Sequence, residues 1–217
     1  MVVCNHKNNY KIIAVCGKSS TGKSVVAYWL YKELANKGYK VNKIISNTTR
    51  PPRSNEMDGV DYHFCKSSEF VGDGHLSNYL EWTYFNNWLY GTPMTALDKD
   101  IENCYNIGVF NPKGIKQLAQ RDDVDLFVVY LKEKFTERLY RSLHRESRPS
   151  KKEIFRRIFA DKKDFHEFEH WLIEEEDILY EGRIQAIMGI DGPRNKAITA
   201  IAVMENRCYL NDWGKTL

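Results

Sequence analysis

Several common signatures are missing from this 217-residue chain, and each absence narrows what it can do. No two of its five cysteines form a CxxC pair: Cys4, Cys16, Cys65, Cys104 and Cys208 lie far apart, and their number is odd. That excludes zinc-finger spacing and a disulfide framework, and leaves reduced thiols. Cys16 sits on an apolar run and is expected to be buried. No apolar stretch approaches the length that a membrane span needs. The N-terminal MVVCNHKNNYK has neither a long apolar core nor a small-residue cleavage site. No signal peptide is expected, and a cytoplasmic location follows by default. Internal repeats and low-complexity linkers are absent as well. A net charge of only +3 gives no reason to expect nucleic acid as a partner.

What remains is an ordinary globular composition, long enough for one sizeable core with mobile appendages. Lys11–Cys16 (KIIAVC) reads as a short buried strand. Lys23–Lys37 carries Val26, Ala27, Leu30, Leu34 and Ala35 at helical spacing, with Gly38 as a stop. Tyr39–Ser46 reads as a second strand. Strand, Gly-rich turn, helix, strand is the opening of an α/β fold. From Asn47 to Pro93 turn formers and aromatics dominate, which predicts an irregular insertion with short strands and one short helix. Met94–Cys104 reads as helix, Tyr105–Phe110 as strand and Asn111–Gln120 as helix. Asp125–Leu131 (DLFVVYL) is the clearest buried strand. Lys132–Phe168 is charged and mostly helical, broken around Pro149. After Trp171 the signal weakens, with a last helix over Asn195–Glu205.

Two segments carry chemistry. Gly17-Lys18-Ser19-Ser20-Thr21-Gly22-Lys23-Ser24 fits the phosphate-loop pattern G-x4-G-K-[ST], with an apolar strand before it and a helix after. The glycines let successive N–H groups face an anion, and the helix N-terminus adds its positive dipole end. Lys23 would reach the β- and γ-phosphates, and Ser24 would hold Mg²⁺. Just over one helix-length later comes Ser46–Phe64, SNTTRPPRSNEMDGVDYHF. Pro51 and Pro52 oppose a helix and stiffen the segment, while Arg50 and Arg53 offer planar forks suited to phosphate oxygens. An arginine pair met alone reads by default as a solvated surface. Together with a phosphate loop, it suggests a second phosphorylated substrate and transfer between two nucleotides.

The run S-x-T-T-R-P-P-R, then E-x-D-G-x-D-Y-x-F, resembles the signature of guanylate kinases. So do Leu80-Glu81-Trp82 and Tyr90-Gly91-Thr92-Pro93. The resemblance is close over Lys11–Pro93, looser to about Asp161, and fades beyond. It implies a P-loop NTPase-type parallel sheet core flanked by helices, a small mixed α/β nucleoside-monophosphate region and a helical lid. The boundaries expected are about 1–46, 94–132 and 164–217 for the core, 47–93 for the monophosphate region and 133–163 for the lid. The implied reaction is Mg²⁺-dependent transfer of the ATP γ-phosphoryl group to GMP or dGMP. Glycine and hydroxyl groups of Gly17, Ser19, Ser20, Thr21, Gly22 and Ser24, with Lys23, would bind ATP. Arg50 and Arg53 would grip the GMP phosphate, with hydroxyls from Tyr62 and Tyr90. Ser46, Glu81 and Thr92 would face guanine, and Gly91 is expected to join them in the GMP site. A carboxylate at Glu81 suits guanine, whose N1–H and N2–H₂ are donors.

From Lys132 to Lys163 there are twelve Lys or Arg against five Asp or Glu. Arg141, Arg145 and Arg156 match the spacing of lid arginines in the family, and would neutralise charge on the transferred group. Arg138 or Arg157 could substitute by a shift of register, and a solvated basic helix is the competing reading. The family's two carboxylates after the third core strand are replaced: Val109 and Asn111 stand there. Asn111 would contact the base with one amide oxygen and no charge. That leaves open a kinase of relaxed base specificity. A non-catalytic guanylate-kinase-like binding module is a further alternative, against which the intact phosphate loop weighs. An adenine contact cannot be placed in the last forty residues. Trp171, Tyr209 and Trp213 are expected to serve packing. The partners expected are the two nucleotides, with the chain a monomer or homodimer.

Overall fold

The apolar run at the start of the chain forms β1 (Tyr10–Gly17), and its interior residues are buried on both sides. A computed structural model describes residues 9–53, 56–72, 76–85, 87–101, 103–144, 150–174, 184–187 and 192–213. After β1 come α1 (Lys23–Asn36), β2 (Lys40–Lys43), β3 (Asn47–Thr48), β4 (His63–Phe64) and α2 (Ser67–Val71). β5 (Tyr79–Phe85), β6 (Trp88–Pro93), β7 (Cys104–Val109), α3 (Pro112–Ala119) and β8 (Val124–Leu131) follow. The chain then forms α4 (Phe135–Leu143), α5 (Lys151–Glu174), β9 (Ile184–Ile187) and α6 (Pro193–Trp213). None of the described helices is long and apolar enough to cross a membrane.

The described strands make two sheets. The first runs β2-β7-β1-β8-β9, and every pairing in it is parallel. A parallel sheet covered on both faces needs strands that are apolar throughout rather than alternating. In β1, Ile12, Ala14 and Cys16 face a cluster with Ile115 and Leu118 of α3 and Phe165, Phe168 and Leu172 of α5. Ile13 and Val15 face Val26, Leu30 and Leu34 of α1 and Ala197, Ala200 and Ile201 of α6. Each Val, Leu, Ile or Phe side chain among them contributes about 1.5–3 kcal/mol by leaving water. Cys16 is fully buried, and burial pushes its thiol up to about 12, so it is inert packing. Trp171 stacks on Phe168. Tyr209 and Trp213 have side chains outside the described residues.

The second sheet, β4-β3-β6-β5, occupies the stretch expected to be an irregular insertion with short strands and one short helix, and both the short strands and the helix α2 are there. Its strands are very short or, as in β5 and β6, mix polar and aromatic residues, so periodicity gave no bounds for them. The expected helix over Met94–Cys104 is not there. Only Met94–Ala96 forms a single 3-10 turn. Beyond it, Asp98 accepts the backbone N–H of Asp100, and Asp100 accepts that of Asn103. Such local carboxylate–backbone bonds compete with helix formation. The strand expected over Tyr39–Ser46 ends at Lys43, before the chain moves into the second sheet. β9 had no counterpart in the sequence reading; it gains its place by pairing with β8.

Candidate active site

The phosphate loop leaves the C-terminal end of β1, between the ends of β7 and β8, where parallel sheets place their ligands. Its shape depends on glycine at two points. A Cβ on Gly17 would lie 2.7 Å from the Leu131 carbonyl oxygen and 2.8 Å from Thr21 Oγ1. Gly22 has φ 88° and caps α1. Ser20 also takes a left-handed φ of 64°, uncommon for a residue with a side chain. Thr21 Oγ1 donates to the Lys18 carbonyl at 2.8 Å. The Lys23 ammonium folds back to the Gly17 and Lys18 carbonyls at 2.7 and 3.1 Å.

The loop is braced by residues far along the chain. Asp161 on α5 accepts the Ser19 backbone N–H at 2.8 Å and its hydroxyl at 3.0 Å. Arg138 on α4 pairs with Asp161 at 2.7 Å and donates through Nε to the Ser19 carbonyl at 2.9 Å. The strained Ser20 exchanges a 2.7 Å hydroxyl bond with Ser142. Arg141 approaches the Ser20 carbonyl at 3.5 Å and Glu133 at 3.7 Å. Buried Lys196 of α6 pairs with Glu133. Both helices of the basic segment are therefore anchored on the phosphate loop. Arg156 and Arg157 instead pair with Glu153, each at 2.7 Å, and these two arginines hold that carboxyl down at about 2 against the opposing effect of burial. Arg145 lies outside the described residues.

Across from the loop stands the arginine arm. Thr49 exchanges bonds with Leu89 of β6, its N–H donating at 3.0 Å and its hydroxyl accepting at 2.9 Å. Arg50 lies against the rings of Tyr62 and Phe64, 5.4 and 5.5 Å from their centroids. Tyr62 and Tyr90 meet edge to face with centroids 6.1 Å apart. Burial raises the Tyr62 phenol further, so its hydroxyl keeps its proton. One cleft of about 1320 Å³ runs between loop and arm, lined by Lys23, Ser24, Ser46, Arg53 and Tyr90 among others, and also by Arg156 and Arg157.

Behind this cleft lies a hydroxyl–carboxyl chain. Thr92 Oγ1 donates to Glu81 Oε1 at 2.8 Å, and Ser46 Oγ is 2.8 Å from Thr92 Oγ1. Thr92 has a single hydroxyl proton, so with that proton on Glu81 the Ser46 hydroxyl is the donor in the second bond. Glu81 is 5% exposed, and burial pushes its carboxyl up to about 7 despite the Thr92 bonds. Gly114 makes room for it: a Cβ there would lie 2.6 Å from Glu81 Oε2. Gln117 of α3 pairs with the Trp82 backbone through both amide groups, at 3.0 and 2.8 Å, fixing β5 against α3. Asn111 is committed elsewhere, its oxygen accepting the Gly114 N–H at 2.8 Å as the cap of α3. Gly91 is a packing position, since a Cβ would meet Tyr79, the Glu81 carbonyl and Phe70 within 3.0 Å.

Three residues with prominent contacts here went unassigned in the sequence reading. Glu56 stands within a quoted motif and gathers both arginines of the arm. Asp161 and Ser142 had no local signal, because their contacts span 142 and 122 residues. Ser24 offers a hard oxygen to a divalent cation, but Val109 ends the strand beside β1 without a carboxylate. Among the described residues no cluster of three His, Cys, Asp or Glu could hold a metal alone. That donor set fits Mg²⁺ carried largely by phosphate and water oxygens.

Residues 9–184 match the family model described as guanylate kinase. The chain is 37% identical over 105 residues to the guanylate kinase of Lawsonia intracellularis (strain PHE/MN1-00), covering 48% of each chain. It is 33% identical over 126 residues to that of Prochlorococcus marinus (strain MIT 9312), covering 58% of this chain and 66% of the relative. The matched stretch thus spans about half to two-thirds of the length of these relatives. With the guanylate kinase of Desulfitobacterium hafniense (strain Y51), identity is 26% over 186 residues, covering 84% and 90%. The solved guanylate kinase of Anaplasma phagocytophilum superposes with a TM-score of 0.62 at 17% identity, covering 92% of this chain and 87% of that one. At that identity the superposition speaks for the fold alone.

Proposed function

Because the chain belongs to the guanylate kinase family, we propose that it transfers the γ-phosphoryl group of ATP to GMP or dGMP, giving ADP and the nucleoside diphosphate. The observation that carries this reading is one shared cleft with the phosphate loop and the Arg50–Arg53 arm both lining it. The loop and Lys23 take the ATP phosphates, and Ser24 with phosphate oxygens would hold Mg²⁺, which would neutralise charge on the transferred group. Arg50, Arg53 and the hydroxyls of Tyr62 and Tyr90 take the acceptor phosphate. Its oxygen is already anionic, so no general base is needed. That oxygen bonds to the γ-phosphorus as the β–γ bridging bond breaks, and positioning and electrostatics supply the rate. Residues 133–163 serve as the lid, bringing Arg156 and Arg157 over the phosphates and excluding water that would otherwise accept the group.

Ser46, Thr92 and Glu81 read the guanine edge, with Glu81 accepting from its N–H donors. The commitment of Asn111 to the α3 cap favours a second reading, in which base choice rests on Glu81 and is broader than guanine. ADP formation from ATP and Mg²⁺ against GMP, dGMP, AMP, CMP and UMP tests both. Stimulation by the guanine nucleotides alone supports the first reading, and stimulation by several bases the second. No response to any monophosphate rejects the transfer reaction.

A further inference from the structure

Glu56 is the most heavily engaged carboxylate of the arm. Its side chain is only 10% exposed. It takes Arg50 end-on, with Nη1 donating to Oε2 at 2.8 Å and Nη2 to Oε1 at 3.0 Å. Arg53 donates its backbone N–H to Oε2 at 2.9 Å and Nη1 to Oε1 at 3.1 Å. The Glu56 N–H returns a 3.0 Å bond to the Arg53 carbonyl. The carboxylate is thus fixed to the backbone of the arm as well as to both guanidinium groups. A mobile counter-ion that simply fills a phosphate site would not be tied down in this way. Burial alone would raise the Glu56 carboxyl, yet its arginine bonds outweigh that and hold it below its ordinary range.

The proton count on Arg50 is specific. Of its five N–H groups, Nη1 spends two, on Glu56 and on the Pro51 carbonyl at 2.8 Å, and Nη2 spends one on Glu56. The two that remain, Nε–H and the second on Nη2, lie side by side on one edge of the plane. That edge is itself a bidentate fork for phosphate oxygens. Nε is buried and has no acceptor among the described residues. A donor in that state is unfavourable until an acceptor arrives.

We infer that Glu56 is a positioning residue, which occupies the end of the Arg50 guanidinium and clamps Arg53 so that the remaining Arg50 edge is set for the phosphate of the monophosphate substrate. The inference rests on the reading of the arm as that substrate's phosphate site. The phosphate and Glu56 then bind Arg50 together rather than in exchange.

The test compares GMP with guanosine, which lacks only the phosphate, by calorimetry. Glu56→Gln is expected to weaken GMP about 10–100-fold, the range for hydrogen bonds to charged groups, and to leave guanosine within about twofold. The KM for ATP should not move. Glu56→Asp, which keeps the charge at shorter reach, should recover part of the loss. On an Arg50→Ala background the Glu56→Gln change should cost clearly less than it does in the wild type, because the part of its effect that acts through that arginine is gone. Unchanged or tighter GMP binding would overturn the inference, since it would mean that the carboxylate competes with phosphate. Equal losses for GMP and guanosine would overturn it as well. Should circular dichroism show Glu56→Gln unfolded, Glu56→Asp carries the comparison, with a smaller loss confined to GMP. If wild-type protein binds GMP no better than guanosine, the arm is not a phosphate site, and the underlying reading falls together with the inference.

Discussion

Guanine binding should expel a proton from Glu81, and the size of that effect follows from its burial. The carboxyl sits at about 7 in the free protein against an ordinary 4.5, a difference worth about 3 kcal/mol between its two protonation states. The folded value is raised, so the folded state holds the proton that the unfolded chain releases. This stabilisation is complete below pH 4.5 and is lost progressively as pH rises towards 7. A guanine N1–H and N2–H₂ favour the ionised form and oppose that loss. Below pH 7 the ligand must first displace the proton, and its affinity should fall by up to about tenfold per pH unit. The phosphate of GMP titrates near 6 itself, so guanosine is the cleaner probe. Calorimetry in two buffers of different ionisation enthalpy counts the protons. Release should be about one-half at pH 7, nearly complete at pH 6 and near zero at pH 8, following simple titration of one group at about 7. Glu81→Gln should abolish it. Guanosine binding that is flat across this range, or proton release that survives Glu81→Gln, would refute the assignment of Glu81 to the base.

Three further outcomes follow from contacts in the cleft and its supports. Lys23→Ala should lower turnover roughly 10²–10³-fold while GMP affinity by calorimetry stays near wild type, if the ammonium acts on the ATP phosphates as proposed. Asp161→Ala leaves Arg138, whose side chain is 10% exposed, without its carboxylate, and urea denaturation should show a loss of about 3–5 kcal/mol; a loss under about 1 kcal/mol, the value of an exposed pair, would show that the brace is solvated. Gly114→Ala should cost about 1–3 kcal/mol in stability through overpacking against Glu81 and weaken guanosine selectively, leaving the KM for ATP unmoved.

The phosphate loop was legible because its determinants are local. Gly17, Gly22, Lys23 and Ser24 act through backbone conformation and reach within eight residues, and an apolar strand before and helix after supply the setting. β1 and β8 were legible because a strand buried on both faces must be apolar nearly throughout. The arm was legible for the same local reason, since Pro51 and Pro52 restrict the chain that carries Arg50 and Arg53. In the insertion, short strands and one short helix were expected, but their bounds and pairing were not legible, because strands of two residues such as β3 and β4 carry no periodicity. Nor was the turn over Asp98–Asn103, where side chains take the bonds that a helix would have used.

Residue identity and spacing by themselves settled the α/β opening, the phosphate-loop motif and the stiff arginine segment around Pro51 and Pro52. Tertiary structure alone decided which arginines meet the loop, that Asp161 and Ser142 brace Ser19 and Ser20, and that Asn111 caps a helix. It also turned Glu81 from a charge between Leu80 and Trp82 into a buried carboxyl poised near neutrality. Backbone shape is written over a few neighbouring residues, whereas desolvation and ion pairing depend on what distant parts of the chain bring alongside.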